Sequence, residues 1–126
     1  VIYKDGGNNP VGSPNMTFDG TTLTVVALTE TSALKYKENI LPLHDSLENL
    51  KKIQGVSFVR KGDQNRQLGF IADEIYKIFP ELVNLVDGEV DSVYYQRVTA
   101  VLVEAVKELS VKVEAHETII QSLLKK

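Results

Sequence analysis

Ser32 and Lys37 are the residues of this chain whose types and spacing point most directly to chemistry. They lie five positions apart in Ser32-Ala33-Leu34-Lys35-Tyr36-Lys37-Glu38-Asn39-Ile40, just where a stretch rich in Gly, Asn, Thr and Pro gives way to regular apolar periodicity. A serine hydroxyl is a weak nucleophile near neutral pH and needs a base to take its proton as it attacks a carbonyl carbon. A lysine amine is such a base only when neutral. Free lysine titrates at about 10.4, so burial or a neighbouring cation must bring that value down. The pair, set at a compositional junction, suggests a protein that cuts itself. Lys35 is the competing base, only three residues from Ser32.

Neither regular backbone brings the two side chains together. Five residues on a helix are separated by roughly 140° around the axis, and an odd spacing on a strand points to opposite faces. A bend or another subunit must close the distance. Read without chemistry, Ser32 is an N-cap for a helix starting at Ala33-Leu34-Lys35, and Lys37 is a solvated surface charge.

Composition narrows the alternatives. The chain has 126 residues, 43% hydrophobic and 25% charged, which is one domain's worth of ordinary globular composition. With 14 basic and 17 acidic residues the net charge is −3, which argues against nucleic acid and acidic membrane surfaces as partners. There is no Cys and there are only two His, so disulfides and thiolate catalysis are excluded and no cofactor or metal is expected. No apolar run approaches the roughly 20 residues of a membrane span. The start Val1-Ile2-Tyr3-Lys4 has neither an initiator Met nor a signal-peptide pattern and reads as a piece of something longer.

Other polar groups carry weaker signals. Asp73 and Glu74 suit the first turn of a helix better than acid/base work. Lys61-Gly62-Asp63 lacks the glycine spacing of a phosphate loop. Glu104 and Lys107 read as an exposed pair at i, i+3, in a Glu104-to-Leu109 block that could also dock on the globular part. Gly69, inside a strand, invites close approach by a neighbouring backbone, another chain's included.

The elements that must position the pair follow from turn and cap signals. Lys4 to Asn15, with its Gly, Asn and Pro, reads as loop or linker. Asn15-Met16-Thr17-Phe18 and Thr21 to Val26 flank Asp19-Gly20 as a β-hairpin, which is marginal alone and needs partners for its edges. Asp45-Ser46-Leu47-Glu48 resembles a capping box for a short helix ended by Gly55. Val56 to Arg60 and Arg66 to Ile71 form a hairpin around a polar loop. Ala72 to Phe79 is a helix stopped by Pro80, and Leu82 to Val86 with Glu89 to Val93 flank the tight turn Asp87-Gly88. The fold class is therefore α+β: a small helix and hairpin head followed by a long C-terminal helix.

From Ser92 onward Gly and Pro are absent, and Leu102, Val106, Leu109, Val113, His116, Ile120 and Leu123 recur at spacings of 4 and 3. That is a heptad seam for self-association. The alternative is an amphipathic helix packed on its own domain. Residue choice at the seam favours two strands, while Val101, Val103, Ala105, Val111, Ile119 and Leu124 broaden the apolar surface beyond one narrow stripe. His116 in the seam is most simply a tolerated polar core residue, although three copies in a trimer could converge.

Read together, several blocks resemble the endosialidase-type intramolecular chaperone, the autoprocessing C-terminal domain of bacteriophage tail spikes and tail fibres. They run in the family's order from Ser32 to Leu109: Ser32 and Lys37 followed by Glu38-Asn39-Ile40; Gly55-Val56; Arg66-Gln67-Leu68-Gly69-Phe70-Ile71-Ala72-Asp73-Glu74-Ile75; Phe79-Pro80-Glu81-Leu82-Val83; Val93-Tyr94-Tyr95; and Leu102 to Leu109. Two positions depart from the pattern. Ala33 stands where the family usually has Asp, and Tyr36 replaces an aliphatic residue.

The resemblance implies a homotrimeric coiled coil that assembles the tail fibre or spike segment attached upstream. The domain then severs itself at the bond before the serine, here Thr31-Ser32, with Ser32 as nucleophile and Lys37 as general base. Residues 1–31 would be the β-rich end of the fibre and 32–126 the released chaperone, with 32–91 as head and 92–126 as coiled-coil helix. Assembly would take place in the host cytoplasm and the fibre would remain on the virion tail. The alternative that Ala33 motivates is a non-cleaving trimerisation module of the same fold.

Overall fold

In a computed structural model of the chain, residues 2–4 and 10–126 are described. The chain divides into two compact units, Val1–Ile40 and Leu41–Lys126.

The first unit holds two small antiparallel hairpins. Strands β1 (Ile2–Lys4) and β2 (Pro10–Gly12) pair with Ile2 opposite Gly12, so the span expected to be loop, Lys4 to Asn15, carries strand at Lys4 and at Pro10–Gly12. Pro10 begins its strand, a position where its missing N–H costs no central ladder bond. Residues 5–9, the most turn-rich part of that expectation, lie outside the described residues. Strands β3 (Met16–Phe18) and β4 (Leu23–Val25) form the hairpin expected around Asp19-Gly20. Its turn is longer than a two-residue Asp-Gly turn, because Asp19 Oδ1 accepts from the backbone N–H groups of Thr21 (2.9 Å) and Thr22 (2.7 Å) and from the Thr21 hydroxyl (3.0 Å). These bonds draw Thr21 and Thr22 out of the strand. They also hold the Asp19 carboxyl below its ordinary value, the Thr22 N–H first. No residue from Gly12 to Ile40 is buried.

The second unit holds the core. Helix α1 (Ser46–Leu50) is followed by hairpin β5 (Val56–Val59) and β6 (Arg66–Gly69), helix α2 (Ala72–Tyr76), hairpin β7 (Val83–Val86) and β8 (Glu89–Val93), and helix α3 (Val98–Leu124). Asp87 and Gly88 both have positive φ (51° and 77°), the conformation a tight hairpin demands and an Asp-Gly pair tolerates. The long helix begins later than Ser92. Ser92 and Val93 still belong to β8, opposite Asn84 and Val83, and a short 3-10 turn over Tyr95–Arg97 leads into α3. The core joins Ile75 of α2, Leu82, Val83 of β7, and Val98 and Val101 of α3, with Leu50, Ile53, Phe70, Phe79, Val90 and Val93 packed around it.

Helix α3 has two apolar stripes with different fates. Val98, Val101 and Ala105 are buried and Glu108 is half-buried, and this stripe faces the head, where α3 packs on α1. The heptad stripe is free: Leu102, Val106, Leu109 and Val113 remain 44, 62, 47 and 47% exposed. From Leu109 onward every residue of α3 is exposed. The helix thus packs on its own domain without consuming the seam.

Two contacts fix where α3 starts and how it meets the head. The Tyr95 hydroxyl accepts from the Phe70 backbone N–H at 3.0 Å, and the two rings stack with centroids 5.6 Å apart. A Cβ on Gly69 would lie only 2.5 Å from that hydroxyl oxygen, so the group that approaches Gly69 is the Tyr95 side chain of the same chain and not the expected neighbouring backbone. The backbone N–H groups of Ser46 and Leu47 donate to the Glu108 carboxylate at 3.2 and 2.5 Å. This replaces the expected capping box. Asp45 occupies the N-cap with a left-handed φ of 55° and makes no side-chain cap bond. A carboxylate from a distant helix satisfies the orphan donors instead.

Candidate functional site

Ala27 to Ala33 has no regular secondary structure, and Thr31 and Ser32 are exposed within it. A single 3-10 turn over Leu34–Tyr36 follows, closed by Tyr36 N–H to Ala33 O and Lys37 N–H to Leu34 O, both at 3.0 Å. Its flanks are extended, with Ala33 at φ −63°, ψ 151° and Lys37 at φ −126°, ψ 145°. The chain therefore turns sharply between two extended residues. That bend does what neither helix nor strand could do.

Lys37 Nζ lies 2.6 Å from Ser32 Oγ. The contact forms within one chain, so no second subunit is needed to bring the two atoms together. Ser32 does not cap the turn, because Ala33 occupies the N-cap and no side-chain cap bond forms. Lys35, the competing base, lies instead over the ring of Tyr36, with Nζ 5.1 Å from the centroid. A cation over an aromatic face is held by the ring quadrupole. Asn39, two residues after Lys37, has φ 52°, a left-handed conformation that Asn adopts more readily than other non-glycine residues.

The pair has the geometry of a nucleophile and its base but sits in solvent. Every residue from Thr31 to Leu43 is exposed, including the large apolar side chains Leu34, Tyr36, Ile40 and Leu41, which are 61 to 82% exposed. General-base chemistry by a lysine requires that its amine be shielded from such solvent.

The remaining candidates are placed without being drawn into this site. Leu102, Val106, Leu109, Val113, His116, Ile120 and Leu123 all lie on the exposed part of α3. Glu104 and Lys107 form the expected i, i+3 ion pair at 3.1 Å. Asp73 and Glu74 lie in the first turn of α2 and are exposed. In the loop after β5, Asp63 Oδ1 accepts from the N–H groups of Gln64 (2.6 Å) and Asn65 (3.1 Å). These bonds, that from Asn65 foremost, lower its carboxyl below the ordinary value. Among the described residues no group of three His, Cys, Asp or Glu could hold a metal, and no helix is long and apolar enough to cross a membrane.

Two residues with structural consequence were not singled out by spacing or motif. Glu108 was visible only as part of a block that could dock on the head, and its partner lies 62 positions away. Tyr95 stood beside Tyr94 with no local sign of which ring would face Gly69. Long-range pairing of this kind leaves no periodic signal.

Residues 32–84 match the family model described as chaperone of endosialidase. No curated protein matches the chain.

Proposed function

Because this chain carries an endosialidase-type chaperone domain, we propose that it trimerises the end of a phage tail fibre or spike and then releases itself by cleaving Thr31-Ser32. The observation that carries this reading is the 2.6 Å contact between Lys37 Nζ and Ser32 Oγ. The serine is covalently adjacent to the carbonyl it attacks, so proximity supplies much of the rate.

The steps balance on these residues. Ser32 Oγ adds to the Thr31 carbonyl carbon while its proton passes to Lys37 Nζ. The tetrahedral intermediate collapses by breaking the C–N bond, and the Ser32 nitrogen leaves as an amine after taking that proton. The product is an ester between Thr31 and the Ser32 hydroxyl. Water then hydrolyses the ester, freeing the Thr31 carboxylate and restoring the hydroxyl. One turnover per chain is sufficient.

Assembly supplies the missing condition. In one chain both side chains are exposed; assembly that covers the dyad segment with other chains would favour the neutral amine. Cleavage then reports that three chains have folded together. The division at Thr31-Ser32 leaves the β3–β4 hairpin with the fibre, where its exposed Phe18, Leu23, Val26 and Leu28 would be covered by neighbouring chains. Synthesis and trimerisation would occur in the host cytoplasm, with the fibre retained on the virion and the chaperone set free.

The test is the denatured mass of the purified chain beside Ser32→Ala and Lys37→Arg. The wild type is expected to separate into residues 1–31 and 32–126, and both variants to stay whole. Lys37→Arg keeps the charge but cannot act as a base, since a guanidinium is not deprotonated in proteins. A second reading, a trimerisation module that does not cleave, is favoured by Ala33 directly after the serine. Full-length wild-type mass in a confirmed trimer would establish it instead.

A further inference from the structure

His116 interrupts the exposed seam of α3, seven residues after Leu109 and seven before Leu123, with Val113 and Ile120 as its apolar neighbours along the same stripe. All five side chains are exposed in the single chain. At a core position of a parallel coiled coil, copies of one residue meet at one height on the shared axis. Three helices would therefore bring three imidazoles into a single layer, closed above and below by Val113 and Ile120.

The flanking charges favour that parallel, in-register arrangement. Taking Val106, Val113 and Ile120 as heptad position a, and Leu102, Leu109, His116 and Leu123 as d, Lys112 falls at g and Glu117 at e. In a parallel coil a g residue faces the e residue five positions further along the neighbouring helix, which sets Lys112 against Glu117 at the height of the histidine layer. An antiparallel pair would instead set lysine near lysine and glutamate near glutamate. The other e and g positions of α3 beyond the head are Ser110, Ile119 and Leu124, so within the helix this is the charged pair that fixes register here.

Resting on the trimer reading above, we propose that three copies of His116 form a binding site for a borderline-soft divalent cation of the zinc class. Three neutral imidazole nitrogens with a fourth position left to water are an established zinc donor set. Each chain contributes one ligand and symmetry supplies the other two. The apolar layers on either side limit solvent and restrict the rings. Binding would tie the three helices together near their distal end, beyond the part of α3 that packs on the head.

The experiment is a calorimetric titration of the full chain with ZnCl2 alone, with sedimentation equilibrium under the same conditions, for wild type, His44→Ala and His116→Leu. Replacing His116 by Leu completes the apolar seam, so assembly is retained while the ligand is lost. The expected result is one Zn2+ per three chains in wild type and in His44→Ala, with complete loss in His116→Leu. Zinc should also raise the melting temperature of the first two proteins and leave that of His116→Leu unchanged. A trimer that takes up no zinc, or a His116→Leu trimer that still binds it, overturns the site and leaves assembly standing. Monomeric or dimeric mass overturns the assembly reading and the three-histidine layer with it.

Discussion

The two compact units of this chain divide structure and chemistry between them. The second, residues 41–126, buries Ile75, Leu82, Val83, Val98, Val101 and Ala105 and satisfies the N-terminus of α1 through Glu108, yet nothing in it is arranged as a nucleophile with a base. The first, residues 1–40, holds the Ser32–Lys37 pair at 2.6 Å and has no buried residue between Gly12 and Ile40. A hydrophobic core can form within one copy of the second unit, whereas the first leaves Phe18, Leu23, Val26, Leu28 and its reactive pair in water. On the proposed function, folding of the head and activation of the dyad are separate events, the second waiting on other chains.

The largest expected break between the two comes from the seam. Leu109→Asp places a charge at the centre of the proposed interface, 47% exposed in the single chain, and is expected to abolish association while leaving the head folded. Sedimentation should give a monomer with nearly unchanged helix signal in circular dichroism. A folded trimer from this variant would show that assembly does not use the heptad stripe.

Next in size is the core. Ile75 is 1% exposed, and Ile75→Ala should cost about 2–5 kcal/mol by removing buried methyl groups and leaving a cavity. Urea denaturation of the second unit should register the loss. A change within error of zero would mean that Ile75 is less tightly enclosed than described.

Glu108→Ala should have a smaller effect, about 1–3 kcal/mol, because it leaves the Ser46 and Leu47 N–H groups without their carboxylate partner. The same denaturation measurement is expected to place Glu108→Ala between Ile75→Ala and Glu48→Ala. A greater loss for Glu48→Ala would restore the local capping box.

The smallest effect is electrostatic. Asp63 is exposed, and hydrogen bonds from Asn65 and then Gln64 hold its carboxyl below the ordinary aspartate range. A depressed folded-state value stabilises the fold above the unfolded value, and that contribution is lost as pH falls through the lowered one. Asp63→Asn should therefore be slightly less stable than wild type at neutral pH, with the gap closing below about pH 3.8 in thermal melts. A gap that persists unchanged at pH 2 would assign the effect to turn geometry instead of charge.

Local signals in the sequence located most elements and failed where long-range contacts decide. Asp87-Gly88 marked a tight hairpin because both residues tolerate positive φ, and the absence of Gly and Pro marked the long helix. Helix α3 starts later than the stretch free of Gly and Pro implies, because Ser92 and Val93 pair with β7. The expected capping box was replaced because Glu108, far along the chain, reaches the same N–H groups. The seam was legible as a heptad, but only the structure separates it from the stripe that packs on the head. Ser32 and Lys37 stood out by type and spacing. The single 3-10 turn that joins them is too short to leave a periodic signature.

The most direct test of the link between assembly and chemistry is the denatured mass of wild type and Leu109→Asp purified in parallel. Cleavage at Thr31-Ser32 in wild type, with the seam variant whole and its head still folded, is the predicted result. Equal cleavage of a monomeric Leu109→Asp chain would contradict it, since the dyad would then act without the trimer.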